Sequence, residues 1–144
     1  MISVRHILEG KGNKVWSVTP DTTVFDALKL MSEKNLGAVL VQHEGHLDGI
    51  FSERDYARKI ILKGKSSKET SVEEIMTANV VTVEPKQSIE ECMALMTTQR
   101  VRHLPVVEGG KVVGVISIGD VVKSIISEQE DTIKHLENYI TGTR

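Results

Sequence analysis

Apolar and polar positions along this chain follow a pattern that occurs twice. A β-rich run at residues 15–18 leads to Pro20, and a second at residues 80–83 leads to Pro85. Proline limits further strand pairing and opens a turn. Thr23 and Ser88 then stand three residues before Asp26 and Glu91, the pattern of an N-cap followed by an acid at N3. Helical spacing follows, with Val24, Ala27, Leu28 and Met31 in one copy and Ile89, Cys92, Met93 and Met96 in the other. Next come two strand-like runs about a glycine turn. They cover residues 38–41 and 47–51 around His43-Glu44-Gly45, then residues 103–107 and 112–118 around Glu108-Gly109-Gly110. A second helix is predicted to start near Ser52 and near Ser117.

The two copies hold one register without a gap. At an offset of 65 residues, set by Pro20 and Pro85, Val18 meets Val83, Leu30 meets Leu95 and Met31 meets Met96. Val41 meets Val106, Gly45 meets Gly110, Gly49 meets Gly114, Ser52 meets Ser117 and Asp55 meets Asp120. The chain is therefore read as a duplicated β-α-β-β-α unit of the α+β class, with repeats at residues 10–65 and 71–127. One unit of this length leaves too much surface exposed, so two copies are expected to pack sheet to sheet. Ser71-Val72-Glu73-Glu74 has the form of a capping box, predicting a short helix that ends near Met76.

Composition narrows the function. Aromatics are 3% of the 144 residues, so the core must be aliphatic. A formal net charge of −2 counts against a protein that coats nucleic acid or anionic membrane through bulk charge. Cys92 is the only cysteine, which excludes an internal disulfide and a Cys-rich metal site. The first fourteen residues hold no apolar run of the signal-peptide kind, and no stretch of about 18 consecutive apolar residues occurs. A soluble, cytoplasmic protein is expected.

Candidate chemistry lies where the repeats match without an obvious packing role. GIFSERD at residues 49–55 and GVISIGD at residues 114–120 share Gly, two apolar residues, Ser, two variable residues and Asp at a strand-to-helix junction. Backbone N–H groups at a helix start attract anions. A carboxylate one turn later suits the vicinal hydroxyls of a ribose, as in dinucleotide-binding folds. The same residues also serve as capping boxes, and the spacing alone accommodates both roles. Repeat 2 further carries Arg100-Val101-Arg102-His103 where repeat 1 has Asn35-Leu36-Gly37-Ala38. Those charges suit a phosphate clamp or a solvated strand edge. Trp16, the only tryptophan, reads either as a core or surface-anchor residue or as a base-stacking residue. His6, His43, His46, His103 and His135 do not form a metal-ligand pattern, and Cys92 aligns with Ala27 on an apolar helix face. No nucleophile arrangement, GxGxxG or P-loop occurs, so no catalytic residue is assigned.

The duplicated unit, RHLPVV, GVISIGD and the linking IMTANVVTVEP resemble the paired cystathionine-beta-synthase (CBS) domain, or Bateman module, over residues 10–127. The resemblance implies two CBS repeats with pseudo-two-fold symmetry, clefts that bind AMP, ADP, ATP, NAD(H) or S-adenosylmethionine as regulatory ligands, and a homodimer. It implies no catalytic cofactor. Carried onto this chain, one site comprises Ile50, Ser52, Arg54, Asp55, Val80, Val81, Arg102 and His103. The other comprises Val15, Trp16, Ala38, Val115, Ser117 and Asp120. The lack of basic residues at Gly37 and Ala38 favours the Asp55 site for a charged nucleotide.

The tail at residues 128–144 reads differently. Val122, Ile126, Gln129, Ile133, Leu136 and Ile140 alternate spacings of four and three, a heptad-like stripe on one helix. It suits packing along its own module, a dimer contact, or an adaptor surface for a separate enzyme or transporter.

Overall fold

The computed structural model describes residues 2–142. They form two compact units. One is built on repeat 1 and contains Lys14–Val80 with Gly109–Val112. The other is built on repeat 2 and contains residues 2–13, 81–108 and 113–142.

In the repeat 1 unit, strands β1 (Ser17–Val18), β2 (Ala38–His43) and β3 (His46–Ser52) make a sheet in that order. Strand β1 is parallel to β2, with Ser17 opposite Leu40. Strands β2 and β3 are antiparallel, with Ala38 opposite Ser52 and Leu40 opposite Ile50. Their two-residue connection puts Glu44 at φ 48 and Gly45 at φ 76, the pair of positive values a tight hairpin needs. Helix α2 (Val24–Lys34) starts where Thr23 accepts a hydrogen bond from the Asp26 N–H, as its sequence predicts. Val24, Ala27 and Met31 bury their side chains with Val39, Val41, Phe51 and Ile60. Helix α3 (Glu53–Tyr56) runs on as a π-helix, Ala57–Ile61.

The repeat 2 unit contains helix α4 (Ile89–Gln99), strand β4 (His103–Glu108), strand β5 (Lys111–Ser117) from Val113 onward, and helix α5 (Ile118–Thr141). Burial along β4 repeats that of β2 residue for residue, and β5 repeats β3. Ile89, Cys92, Met96, Leu104, Val106 and Ile116 take the core places of Val24, Ala27, Met31, Val39, Val41 and Phe51, each 65 residues on. Cys92 is fully buried, and burial pushes its thiol up to about 11. A thiol held protonated in this way is a small hydrophobe.

Three sequence expectations need correction. The run at residues 80–83 is no strand: only Val83 makes a bridge, parallel, to Val106. That at residues 15–18 shortens to Ser17–Val18. A two-sided hydrogen-bond ladder, which apolar content alone cannot supply, is missing at those places. Arg100 does not enter a strand either. It ends α4 in the left-handed conformation (φ 54), as Asn35 ends α2 (φ 56), and β4 begins at His103.

The segment ahead of repeat 1 is an unforeseen helix, α1 (Val4–Lys11), and it belongs to the repeat 2 unit. Ser3 bridges Ser88, and the Val4 N–H donates to the Gln87 carbonyl at 2.8 Å. The segment ahead of repeat 2 does the same in the other unit. There Ser71 bridges Thr23, and the Val72 N–H donates to the Thr22 carbonyl at 2.7 Å, at the start of the 3-10 turn Val72–Glu74.

These segments make two glycines obligatory to different degrees. A Cβ on Gly49 would sit 2.8 Å from the Thr77 carbonyl oxygen and 2.5 Å from Met76 Sδ. That carbonyl accepts from the Ile50 N–H at 3.0 Å and cannot retreat without breaking the bridge. On Gly114 the nearest atom is Leu8 Cδ2 at 2.6 Å, the movable end of a side chain. Gly49→Ala should therefore cost about 1–3 kcal/mol of unfolding free energy, and Gly114→Ala clearly less. Urea unfolding of the two variants checks the order, and the reverse order would contradict this packing.

Candidate functional site

Each Ser-x-x-Asp motif closes a strand and opens a helix, and each forms a capping box. At the β3–α3 junction the Asp55 N–H donates to Ser52 Oγ at 3.3 Å. Asp55 Oδ2 accepts in return from the Ser52 N–H at 2.9 Å and its hydroxyl at 3.1 Å. Oδ1 of Asp55 accepts from the Thr77 hydroxyl at 3.3 Å and lies 3.5 Å from Lys59 Nζ. Lys59 sits one turn on, in the π-helix, and also donates to the Ile75 carbonyl at 3.0 Å. Asp55 is buried, with 9% of its surface exposed, so its charge rests on these donors.

At the β5–α5 junction the Asp120 N–H donates to Ser117 Oγ at 3.2 Å, and Asp120 Oδ2 accepts from the Ser117 N–H at 2.8 Å. The cation here comes from a distant part of the chain. Lys11 Nζ on α1 donates to Asp120 Oδ2 at 2.7 Å and to the Val115 carbonyl at 2.9 Å. Burial opposes the charged form of Asp120, but the hydrogen bonds from Lys11 and Ser117 and the Lys11 charge outweigh it. The carboxyl is held below its ordinary 3.8.

A carboxyl lowered by folding stabilises above its unfolded value, and that contribution fades as pH falls through the folded one. Lys11→Met removes the main partner, so the wild type's lead in Tm over this variant at about pH 7 should shrink at about pH 2. Thermal scans at both pH values test this, and an equal lead at both would show that the pair does not couple folding to protonation.

The residues expected to form the two sites fall in both units. Ile50, Ser52, Arg54, Asp55 and Val80 lie in the repeat 1 unit with Val15, Trp16 and Ala38. Val81, Arg102 and His103 lie in the repeat 2 unit with Val115, Ser117 and Asp120. Within the first, Ala38 faces Ser52 across the ladder and the Glu53 N–H donates to the Gly37 carbonyl at 3.1 Å. Ile50 exchanges both backbone hydrogen bonds with Thr77. Arg54 is exposed on α3. Trp16 is half-buried, with Lys14 Nζ and Lys34 Nζ each 4.6 Å from its ring centroid, so ammonium groups already use its π-face. Within the second unit the Ile118 N–H donates to the Arg102 carbonyl at 2.8 Å, which sets Arg102 beside the Ser117–Asp120 box. His103 is half-buried at the start of β4, and Val80 and Val81 lie outside any strand.

Lys11, Lys59 and Thr77 escaped the sequence reading. Lys59 was findable as the i+4 partner of Asp55. Lys11 was not, because no local spacing links residue 11 to residue 120. Among the described residues no group of three His, Cys, Asp or Glu is placed to hold a metal ion, and no helix is long and apolar enough to cross a membrane.

A repeat of helix, antiparallel strand pair and helix that returns its Ser-x-x-Asp box where the second strand meets the second helix defines a recognisable class. The chain belongs to the CBS domain family, whose sequence model matches residues 11–62 and 72–127. It is a tandem CBS pair. A solved protein with CBS domains from Burkholderia ambifaria MC40-6, assigned to signal transduction, is 56% identical, with a TM-score of 0.86 over 89% of this chain and 96% of that one. The mitochondrial CBS domain-containing protein CBSX3 of Arabidopsis thaliana is 43% identical over 91% of this chain. This chain spans 66% of the length of that relative. The CBS domain pair of protein MJ0100, solved with 5′-methylthioadenosine and S-adenosyl-L-methionine, is 25% identical, with a TM-score of 0.77 over 86% of this chain and 99% of that one.

Proposed function

We propose that this protein is a non-catalytic sensor of adenine nucleotides, with Asp55 and Asp120 as the carboxylates that accept the ribose hydroxyls. The observation that carries the reading is the pairing, in each unit, of a motif carboxylate with an ammonium: Asp55 with Lys59 at 3.5 Å and Asp120 with Lys11 at 2.7 Å. A nucleotide presents the matching pair, a diol to the carboxylate and a phosphate to the cation. The adenosine ligands of the MJ0100 pair support the adenine class. Ser52 and Ser117 add hydroxyls at the same places. Calorimetric titration with AMP and NADH tests the reading in the wild type, Asp55→Ala, Asp120→Ala and the double variant. Loss of binding in the double variant is expected; unchanged affinity throughout would end the proposal.

A second reading has its own observation. Helix α5 leaves Ile126, Ile133, Leu136 and Ile140 more than half exposed in one stripe. An adaptor or homodimer contact that works without ligand would use that stripe. Deletion of residues 128–144 (of which 143 and 144 lie outside the described residues) separates the two: a sensor keeps nucleotide affinity, whereas an adaptor loses its partner.

A further inference from the structure

Where α1 and α5 face one another, side chains leave a groove of about 270 Å³. Facing helix surfaces are ordinarily filled by interlocking apolar side chains. Here α5 presents Asp120, Lys123, Ser124 and Ser127, one face of the helix by their spacing of three, four and seven. Helix α1 presents His6 and Lys11. Gly10 lines the same groove, and a Cβ there would meet nothing within 4 Å, so the groove is open beside it. Two ammonium groups thus share the groove with one carboxylate. Among the described residues Lys123 forms no ion pair, while Lys11 is shared between Asp120 and the Val115 carbonyl. A cavity in the other unit is the opposite in character, lined by Asp21, Asp48 and Glu73 with His43.

We infer that the α1–α5 groove is a phosphate subsite, formed by Lys11, Lys123, Ser124 and Ser127, for a sugar phosphate whose hydroxyls Asp120 accepts. The inference rests on the sugar-binding reading of Asp120 and says which ligand class that site selects. With no ligand, the Lys11 ammonium occupies the carboxylate that the sugar needs. A neutral nucleoside must displace it and offers nothing in return. A nucleotide gives the displaced ammonium its phosphate oxygens, with Lys123 and the two hydroxyls as further donors. The ion pair therefore acts as a filter for phosphorylated ligands. Residues 37 and 38 favour the Asp55 site for a charged nucleotide; the cations on α1 and α5 give the Asp120 site a phosphate subsite of its own.

The experiment compares AMP, adenosine and inorganic phosphate on the full chain. Calorimetry gives the affinities, and amide NMR reports Gly10, Lys11, Ser124 and Ser127. The wild type should prefer AMP to adenosine by at least tenfold at this site, the scale of one charge-assisted hydrogen bond. Lys123→Met should narrow that preference several-fold, and Lys11→Met should lower AMP affinity while raising adenosine affinity. Inorganic phosphate alone should shift the groove amides, and the double Lys11→Met, Lys123→Met variant should abolish the shifts. If AMP binding depends on Asp120 but the lysine variants leave the AMP-to-adenosine ratio unchanged, the phosphate subsite is wrong and the sugar reading stands. If neither nucleoside nor nucleotide depends on Asp120, the sugar reading fails, and the phosphate titration decides the groove: no shifts of its amides overturn the subsite as well.

Discussion

Phe51→Ala is expected to lower the unfolding free energy by about 3–5 kcal/mol, the largest stability loss of any single truncation in the repeat 1 unit. Phe51 is completely buried and packs among Val24, Ala27, Met31, Val39, Val41 and Ile60. It is the only phenylalanine or tryptophan in that core, since Phe25 is 44% exposed and Trp16 is half-buried. Removing the ring leaves a cavity that α2 and the sheet can close only partly, so the cost exceeds the lost transfer energy. A domain of typical stability has about 5–15 kcal/mol to lose. Urea unfolding should place the variant's midpoint far below that of the wild type. Ile116→Ala, the equivalent change in the repeat 2 unit, belongs to the range of about 2–5 kcal/mol. A loss below about 1 kcal/mol at Phe51 would contradict the close packing described here.

Asp55→Ala should show two separable effects. On stability, it removes the acceptor for the Ser52 N–H and hydroxyl and for the Thr77 hydroxyl, and it leaves Lys59 with the Ile75 carbonyl alone. Loss of half a capping box with partly buried donors unpaired costs about 2–3 kcal/mol. On binding, it removes the charged acceptor for a ribose diol, and AMP affinity at that site should fall by about 30-fold or more, or the calorimetric stoichiometry should drop. Asp55→Asn separates them. An amide oxygen can still accept from Ser52, so stability should partly return, whereas the diol then meets a weaker, neutral acceptor and affinity should not. If stability falls as described while AMP affinity is unmoved in both variants, Asp55 is a helix cap and nothing more.

The duplicated pattern explains why much of this was readable in one dimension. Burial recurs near 3.6 along a helix, so Val24, Ala27 and Met31 announce their inward face locally, whereas β2 buries Val39, Leu40 and Val41 in succession and announces itself as a short continuous apolar run. Thr23, Ser52, Ser71, Ser88 and Ser117 announce helix starts, because a capping hydroxyl and its N–H lie three residues apart. A second correspondence lay in view as well: SVRHILEG at residues 3–10 repeats SVEEIMTA at residues 71–78 at an offset of 68. Val4 and Ile7 are buried in one unit as Val72 and Ile75 are in the other. Its offset differs by three from that of the main repeat, so an ungapped alignment passes over it. Helix α5 is also continuous from Ile118 to Thr141, so the expected tail is the far half of the helix that the Ser117 cap begins.

Residue order alone therefore determined the class of fold, the places where the helices within the repeats begin, and the two carboxylates at equivalent junctions. Only the tertiary structure decided which cation each carboxylate meets. Lys59 reaches Asp55 from the same helical stretch, but Lys11 reaches Asp120 across more than one hundred positions, because the leading helix packs in the unit of the later repeat. Contacts within a turn follow from bond geometry and are written in local spacing. Contacts between distant segments follow from how two buried faces pack, and no local spacing encodes them.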